Sequence, residues 1–373
     1  MTALLERRKQ QHSFRQLKLS QGIDFSSNDY LGLSRSPTLL AQQHQYTAQL
    51  SQHGATGSRL LNGHHALMQE VETTLAQFHQ APSALLFNSG YDANLALFGN
   101  LFSHQDLILA DELIHASIHD GLRLGKAQSL FFRHNDLEHL ETLLAQTPCQ
   151  GQRCIALEAV YSMDGDLCPL AEILALAERY EALVILDEAH STGVLGTKGQ
   201  GLACALGLES RIFARLHTFG KAIGGHGAAV LSQPLLRDYL INFARPLIYS
   251  TAPPLSSIAW ISLAYAHLAE EGKNLLAQLW AGIRQLEQGL SQLFQPTQFK
   301  AGQSPIAVLL IGGNEATRQA AQTLQNQGFD VRAVLSPTVP LGQERLRICL
   351  HAYNSPEEIQ ALLQALAQLP LGK

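Results

Sequence analysis

The sequence predicts an α/β protein with one wide, mostly parallel seven-stranded sheet in a large domain and a smaller α/β domain at the C-terminal end. Three observations predict it. Between residues 84 and 232, short β-rich runs alternate with segments of helical period, the mark of successive strand–helix units. The 373 residues are 46% apolar and only 15% charged, enough chain for two structural units and too apolar to stay disordered. Past residue 254 the pattern changes to a long helical stretch and then to a second, shorter alternation of strands and helices.

In chain order, the expected strands of the large sheet are 84–87, 107–110, 129–132, 153–158, 183–187, 212–217 and 228–232. Helices are expected at 137–145 and 170–181, where apolar residues recur at three- and four-residue intervals. The second half reads as a mainly helical stretch over 254–293, a strand at 306–311, a helix at 315–328, strands at 330–334 and 345–351, and a last helix at 356–368. Proline-containing stretches at 245–255 and 336–342 punctuate it. The division expected is an N-terminal segment (1–45), a large domain (46–250) and a C-terminal small domain (251–373).

Composition excludes several functions. A net charge of -5, with 26 basic and 31 acidic residues and no single-sign run, provides no basic stripe for nucleic acid. No apolar run approaches the roughly 18 residues of a membrane span, and Arg7, Arg8 and Lys9 stand where a signal peptide would carry its apolar stretch, so a cytoplasmic protein is expected. Five scattered cysteines without a CxxC pair suit buried reduced thiols better than a disulfide framework or a zinc knuckle. His64 and His65 with Glu70 lack the HExxH spacing, and no metal site is expected.

In an open parallel sheet ligands sit beyond the carboxyl ends of the strands. Three polar clusters follow such ends. Asn88-Ser89-Gly90-Tyr91-Asp92-Ala93-Asn94 leads into a helical segment, where free backbone amides suit a phosphate; its plain alternative is a capped helix entry. Asp187-Glu188-Ala189-His190 ends the apolar run Leu183-Val184-Ile185-Leu186, which places a partly desolvated carboxylate at the cleft; the alternative is a capping aspartate with a loop histidine. Thr218-Phe219-Gly220-Lys221 precedes Gly224-Gly225-His226-Gly227, and a lysine so hemmed in can lose its proton and act as a nucleophile, although a turn lysine at the surface has the same pattern. Together they supply what pyridoxal phosphate requires: amides for the phosphate, a carboxylate for the ring nitrogen and a lysine for the aldehyde.

These residues carry a resemblance. The chain from Asp24 onward resembles the α-oxoamine synthases of the fold type I pyridoxal phosphate enzymes, whose fold is the aspartate aminotransferase-like one. The markers are Phe25-Ser26-Ser27-Asn28-Asp29-Tyr30-Leu31-Gly32-Leu33, Gly57-Ser58-Arg59-Leu60, Asn88-Ser89-Gly90-Tyr91 with Ala93-Asn94, and His115-Ala116-Ser117. Further on come Ser162-Met163-Asp164-Gly165-Asp166, Asp187-Glu188-Ala189-His190, Thr218-Phe219-Gly220-Lys221, Tyr249-Ser250-Thr251, and Pro337-Thr338-Val339-Pro340 with Arg345-Leu346-Arg347.

The resemblance implies a pyridoxal 5'-phosphate enzyme in which Lys221 holds the cofactor and moves the amino acid's Cα proton, Asp187 pairs with the ring nitrogen and His115 stacks on the ring. Ser162 and His190 are implied at the phenolic oxygen, and Gly90, Tyr91 and Thr218 around the phosphate. Ser250 and Thr251 are implied to come from a second copy, which would make the protein a homodimer. Arg347 is implied as the anchor of the amino acid carboxylate and Thr338 on the acyl side; Arg15 is the candidate for the family's substrate-binding arginine near the N-terminus, its plain alternative a solvated helix-face arginine. The implied reaction is a decarboxylative condensation of L-alanine with a pimeloyl thioester of coenzyme A or acyl carrier protein. A sister branch condensing glycine with a short acyl-CoA, and a non-catalytic cofactor-binding regulator, are the alternatives. A P-loop fails because Arg215 and Ala222 stand where glycine and Ser or Thr are needed, and a nucleophile elbow around Ser89 fails at Phe87.

Overall fold

In the computed structural model, residues 1–17, 19–50, 52 and 54–370 are described. They form two compact units: a large one of residues 31–161 and 167–274, and a smaller one assembled from residues 1–30, 162–166 and 275 onward. The strands in chain order are β1 (Ile23–Asp24), β2 (Ser83–Phe87), β3 (Leu107–Asp111), β4 (Gln128–Phe132), β5 (Arg153–Glu158), β6 (Ala182–Asp187), β7 (Ala214–Thr218), β8 (Ala228–Ser232), β9 (Phe299–Lys300), β10 (Ile306–Leu310), β11 (Phe329–Asp330), β12 (Arg332–Val334) and β13 (Arg345–Cys349).

The large unit holds the seven-stranded sheet, in the order β2-β8-β7-β6-β5-β3-β4. The pairs among β3, β4, β5, β6 and β7 are parallel, whereas β8 runs against both β7 and β2. All strands but β8 therefore run the same way, and Phe87, Asp111, Glu158, Asp187 and Thr218 end on one edge. Helices cover both faces, so the central strands are apolar on both sides, which is why the run through Leu186 does not alternate. Cys154, Ala156 and Ile185 pack on one face with Ala93, Leu97 and Ile118. Their strand neighbours Ile155, Leu157, Val184 and Leu186 pack on the other face with Leu140, Ile173 and Leu174.

Local chemistry fixes the helix starts. Ser89 caps the helix Gly90–Asn100 by accepting from the Asp92 amide at 3.0 Å, and Asp136 caps Leu137–Gln146 in the same way. In the smaller unit, Ser355 and Glu358 form a reciprocal capping box at the head of Pro356–Ala367. That unit contains an antiparallel sheet in the order β12-β13-β10-β9 and the parallel pair β1 with β11. The helical stretch expected at 254–293 is one 39-residue helix, Leu255–Leu293.

Three expectations are corrected. The strand expected at 212–217 is Ala214–Thr218, because pairing with β6 begins at Ala214 and Ile212 and Phe213 precede it. The strand expected at 330–334 is two: Phe329–Asp330 pairs with β1, and Arg332–Val334 pairs with β13. Of the five thiols, Cys154, Cys168 and Cys349 are buried, while Cys149 and Cys204 are partly exposed; all five are free. No described helix is long and apolar enough to cross a membrane.

Candidate active site

The strand edge of the large unit gathers the polar residues. Asp187 ends β6, is 6% exposed, and has both carboxylate oxygens engaged. Oδ1 accepts from the Ala189 amide at 2.9 Å and Oδ2 from Asn94 Nδ2 at 2.9 Å. The same Asn94 amide nitrogen donates to Ser117 Oγ at 2.9 Å, so a residue inside the helix Gly90–Asn100 aims the acid. His115 caps the next helix, Ala116–Leu124, with its Nδ1 on Ser117 Oγ at 2.8 Å. Burial pulls the His115 pKa below its ordinary value and the Lys221 charge adds to that, while Asp187 opposes it. His115 is therefore a neutral ring at pH 7. His190, three residues beyond Asp187, is buried. Lys221 is half-buried in the turn after β7, where its charge acts on both His115 and Glu158.

The phosphate side is built from backbone. With the Asp92 amide held by Ser89 Oγ and the Ala93 amide by the Ser89 carbonyl, the N–H groups of Gly90 and Tyr91 are the two that the helix leaves over. A Cβ at Gly90 would come within 2.5 Å of Thr218 Cγ2, so only glycine lets the helix start approach β7 so closely. Thr218 Oγ1 is buried and has no hydrogen-bond partner. Tyr91 turns its hydroxyl to Asp120, which leaves its amide as the part available to the cleft. Ser250 is half-buried and Thr251 exposed; the Thr251 carbonyl accepts from Asn88 Nδ2 at 2.9 Å.

The remaining expected residues belong to the smaller unit. Arg347 is 9% exposed, and its partners are neutral: the Ser162 carbonyl at 2.7 Å, Cys349 Sγ at 2.9 Å, Asn28 Oδ1 at 3.1 Å and the Tyr30 hydroxyl. No carboxylate among the described residues pairs with it. Its planar guanidinium has the shape that matches a carboxylate. Ser162 opens a tightly held loop. Asp164 takes Arg345 Nη1 at 2.6 Å and Lys300 Nζ at 2.8 Å, and Gly165, at φ +78°, is a backbone position that favours glycine. Arg15 and Thr338 meet directly, Nη2 to Oγ1 at 3.3 Å.

These residues fit pyridoxal phosphate. An unpartnered buried hydroxyl beside two free helix-start amides suits a phosphate, a doubly hydrogen-bonded carboxylate suits a pyridinium nitrogen, and the neutral His115 and Lys221 stand near that acid. Residues 20–366 match the family model described as aminotransferase class I and II. The chain belongs to that family. It is 43% identical to the 8-amino-7-oxononanoate synthase of Emericella nidulans over 97% of this chain and 93% of the relative. Among solved structures it is similar to a serine palmitoyltransferase determined with pyridoxal phosphate, at TM-score 0.87 and 31% identity over 93% of this chain and 86% of the other. It is also similar to the 8-amino-7-oxononanoate synthase of Francisella tularensis, at TM-score 0.77 and 29% identity over 93% and 97%. The family member is accordingly a fold type I, pyridoxal-phosphate-dependent acyltransferase.

Asn94, Glu158 and Asn28 are site residues that sequence reasoning gives no role. Asn94 and Asn28 stand inside the family markers, and that position is the only signal they carry. Glu158 reads as the end of a strand.

Proposed function

We propose that the protein condenses L-alanine with a pimeloyl thioester, carried on coenzyme A or acyl carrier protein, giving 8-amino-7-oxononanoate, carbon dioxide and the free carrier thiol, a step of biotin biosynthesis. The observation that carries the reading is the joining of Lys221, Asp187 and His115 at one strand edge in a chain 43% identical to an 8-amino-7-oxononanoate synthase.

Bound pyridoxal phosphate supplies an electron sink that stabilises negative charge at the amino acid's Cα. The chain's residues supply the rest. Lys221 would hold the cofactor and would be the base that takes the amino acid's Cα proton. Asp187, fixed by Asn94 and the Ala189 amide, keeps the ring nitrogen protonated. His115 would lie against the ring as a neutral imidazole, adding no positive charge that would oppose protonation of the ring nitrogen. Ser162 and His190 orient the phenolic oxygen, and Gly90, Tyr91 and Thr218 hold the phosphate. Ser250 and Thr251 complete the phosphate site of a second copy in a homodimer. Arg347 would bind the alanine carboxylate through its guanidinium, Thr338 would line the acyl side, and Arg15, bonded to Thr338, would bind substrate.

The test is thiol release by the cofactor-loaded protein with L-alanine plus pimeloyl-CoA, set beside glycine plus acetyl-CoA, with a pimeloyl-acyl carrier protein as third arm. Turnover with alanine and a pimeloyl donor is expected. Turnover only with the glycine pair would overturn the substrate assignment, and near-parental turnover by Lys221→Ala would overturn the chemistry.

A further inference from the structure

The acid next to Asp187 has no part in the reading above. β5 and β6 run parallel with Glu158 directly opposite Asp187, and neighbouring strands lie about 4.8 Å apart. Side chains alternate between sheet faces. Cys154, Ala156 and Ile185 share one face, so Glu158 and Asp187 are brought to that same face, side by side. Glu158 is 3% exposed.

The two acids are solvated differently by the protein. Asp187 has a donor on each oxygen. Glu158 has the main-chain amide of His115 beside it, and its Oε1 has no partner at all. Charged groups face it from each neighbouring element: Asp187 on β6, Lys221 after β7 and Asp111 at the end of β3. Two buried carboxyls in one site do not both ionise, and the proton stays on the one with the fewer donors.

We infer that Glu158 is a positioning residue for the cofactor site: it holds a proton beside Asp187 and so leaves Asp187 as the single negative charge offered to the ring nitrogen. Burial, reinforced by the Asp187 charge, pushes the Glu158 carboxyl well above the usual carboxylate range, against the opposing effect of Lys221. A second negative charge here would stabilise protonated Lys221 and hinder its attack on the cofactor aldehyde. An apolar residue would leave the His115 amide without its acceptor. A neutral hydrogen-bonding side chain does neither. The inference rests on cofactor binding and is independent of which substrates the enzyme takes.

The test compares Glu158→Gln and Glu158→Ala with the parent as holoenzymes, reading the cofactor dissociation constant, the pH midpoint of the cofactor's visible absorption and the infrared band of protonated carboxyl groups at neutral pH. Gln replaces a neutral acid by a neutral amide, so affinity within about twofold of the parent and an unmoved midpoint are expected. Ala is expected to weaken cofactor binding about tenfold and move the midpoint. The parent should show a protonated-carboxyl band that the Gln variant lacks. Absence of that band difference, or a midpoint in the Gln variant displaced as far as in Asp187→Asn, would show an ionised Glu158 and overturn the inference. An Ala variant with unchanged affinity and midpoint would overturn the positioning role. Should the Ala variant not fold, the parent and Gln holoenzymes decide through the infrared band and the midpoint.

Discussion

Replacing Arg347 by lysine tests the carboxylate anchor at constant charge. Arg347 bonds the Ser162 carbonyl, Cys349, Asn28 and Tyr30, and the amino acid carboxylate would meet the same guanidinium. A lysine ammonium at this depth keeps the charge but loses the fork, so at least one charge-assisted hydrogen bond to the substrate goes, worth about 1.5–3 kcal/mol. That corresponds to an increase of roughly 10- to 150-fold in the KM for L-alanine. The KM for the pimeloyl donor and the affinity for pyridoxal phosphate should stay near parental values, because the proposed contact is with the amino acid alone. Steady-state kinetics in each substrate, with cofactor affinity from absorbance titration, separate these quantities. The lysine variant should also melt earlier, since the Ser162 carbonyl and Asn28 Oδ1 lose donors inside the protein. An unchanged KM for L-alanine in a folded, cofactor-loaded variant would refute the assignment of Arg347.

Other outcomes follow from the same geometry. Asp187→Asn should retain the cofactor but lower kcat about a hundredfold or more, since a preorganised charge is removed from the electron sink; rapid-mixing absorbance with L-alanine checks it, and parental kcat would contradict it. Gly90→Ala forces a Cβ to within 2.5 Å of Thr218 Cγ2, and about tenfold weaker cofactor binding is expected by titration of the apoprotein. Stability should fall with acid because His79 is fully buried, bonded to Tyr265 and the Gln200 carbonyl at 2.8 Å each, and held by burial down to about 3 against an ordinary 6.5. A lowered folded pKa means that the unfolded chain takes the proton first. The stabilisation is therefore complete above 6.5 and is lost as pH falls from there toward 3, at about 1.4 kcal/mol per pH unit. His217, lowered by burial and then by the His79 charge, acts in the same direction. Urea midpoints across this range measure the slope, and His79→Gln should reduce it; equal slopes in parent and variant would remove His79 from the account.

Much of the sheet is legible in the sequence because parallel strands buried on both faces leave dense apolar runs, and 153–158 and 228–232 are recovered to the residue. Strand pairing is less legible. Nothing local in Phe329–Asp330 shows that its partner is Ile23–Asp24 near the other end of the chain, so the kink before Arg332 reads as one continuous strand. The site follows the same division. Asp187 and Lys221 stand out because each interrupts or follows an apolar run. Asn94 does not, because it lies in the apolar helical pattern of Gly90–Asn100 and shows its purpose only through a bond to Asp187, 93 positions away. Glu158 is hidden for the same reason: its neighbour in space is fixed by the register of two strands and not by any spacing in the sequence.

The smaller unit is discontinuous, drawn from the first thirty residues, a five-residue piece in the middle and the last hundred or so. On the ribosome the two units therefore mature on different schedules. Once Asn274 has emerged, the large unit has all its strands and can fold while synthesis continues. Ile23 and Asp24 must wait for Phe329 and Asp330 before their strand exists, and the Ser162 loop waits for Arg345 and Arg347. During translation the half that holds the cofactor-binding edge can be ready before the half that holds the arginine anchor, and a chain cut short after Asn274 lacks that anchor altogether.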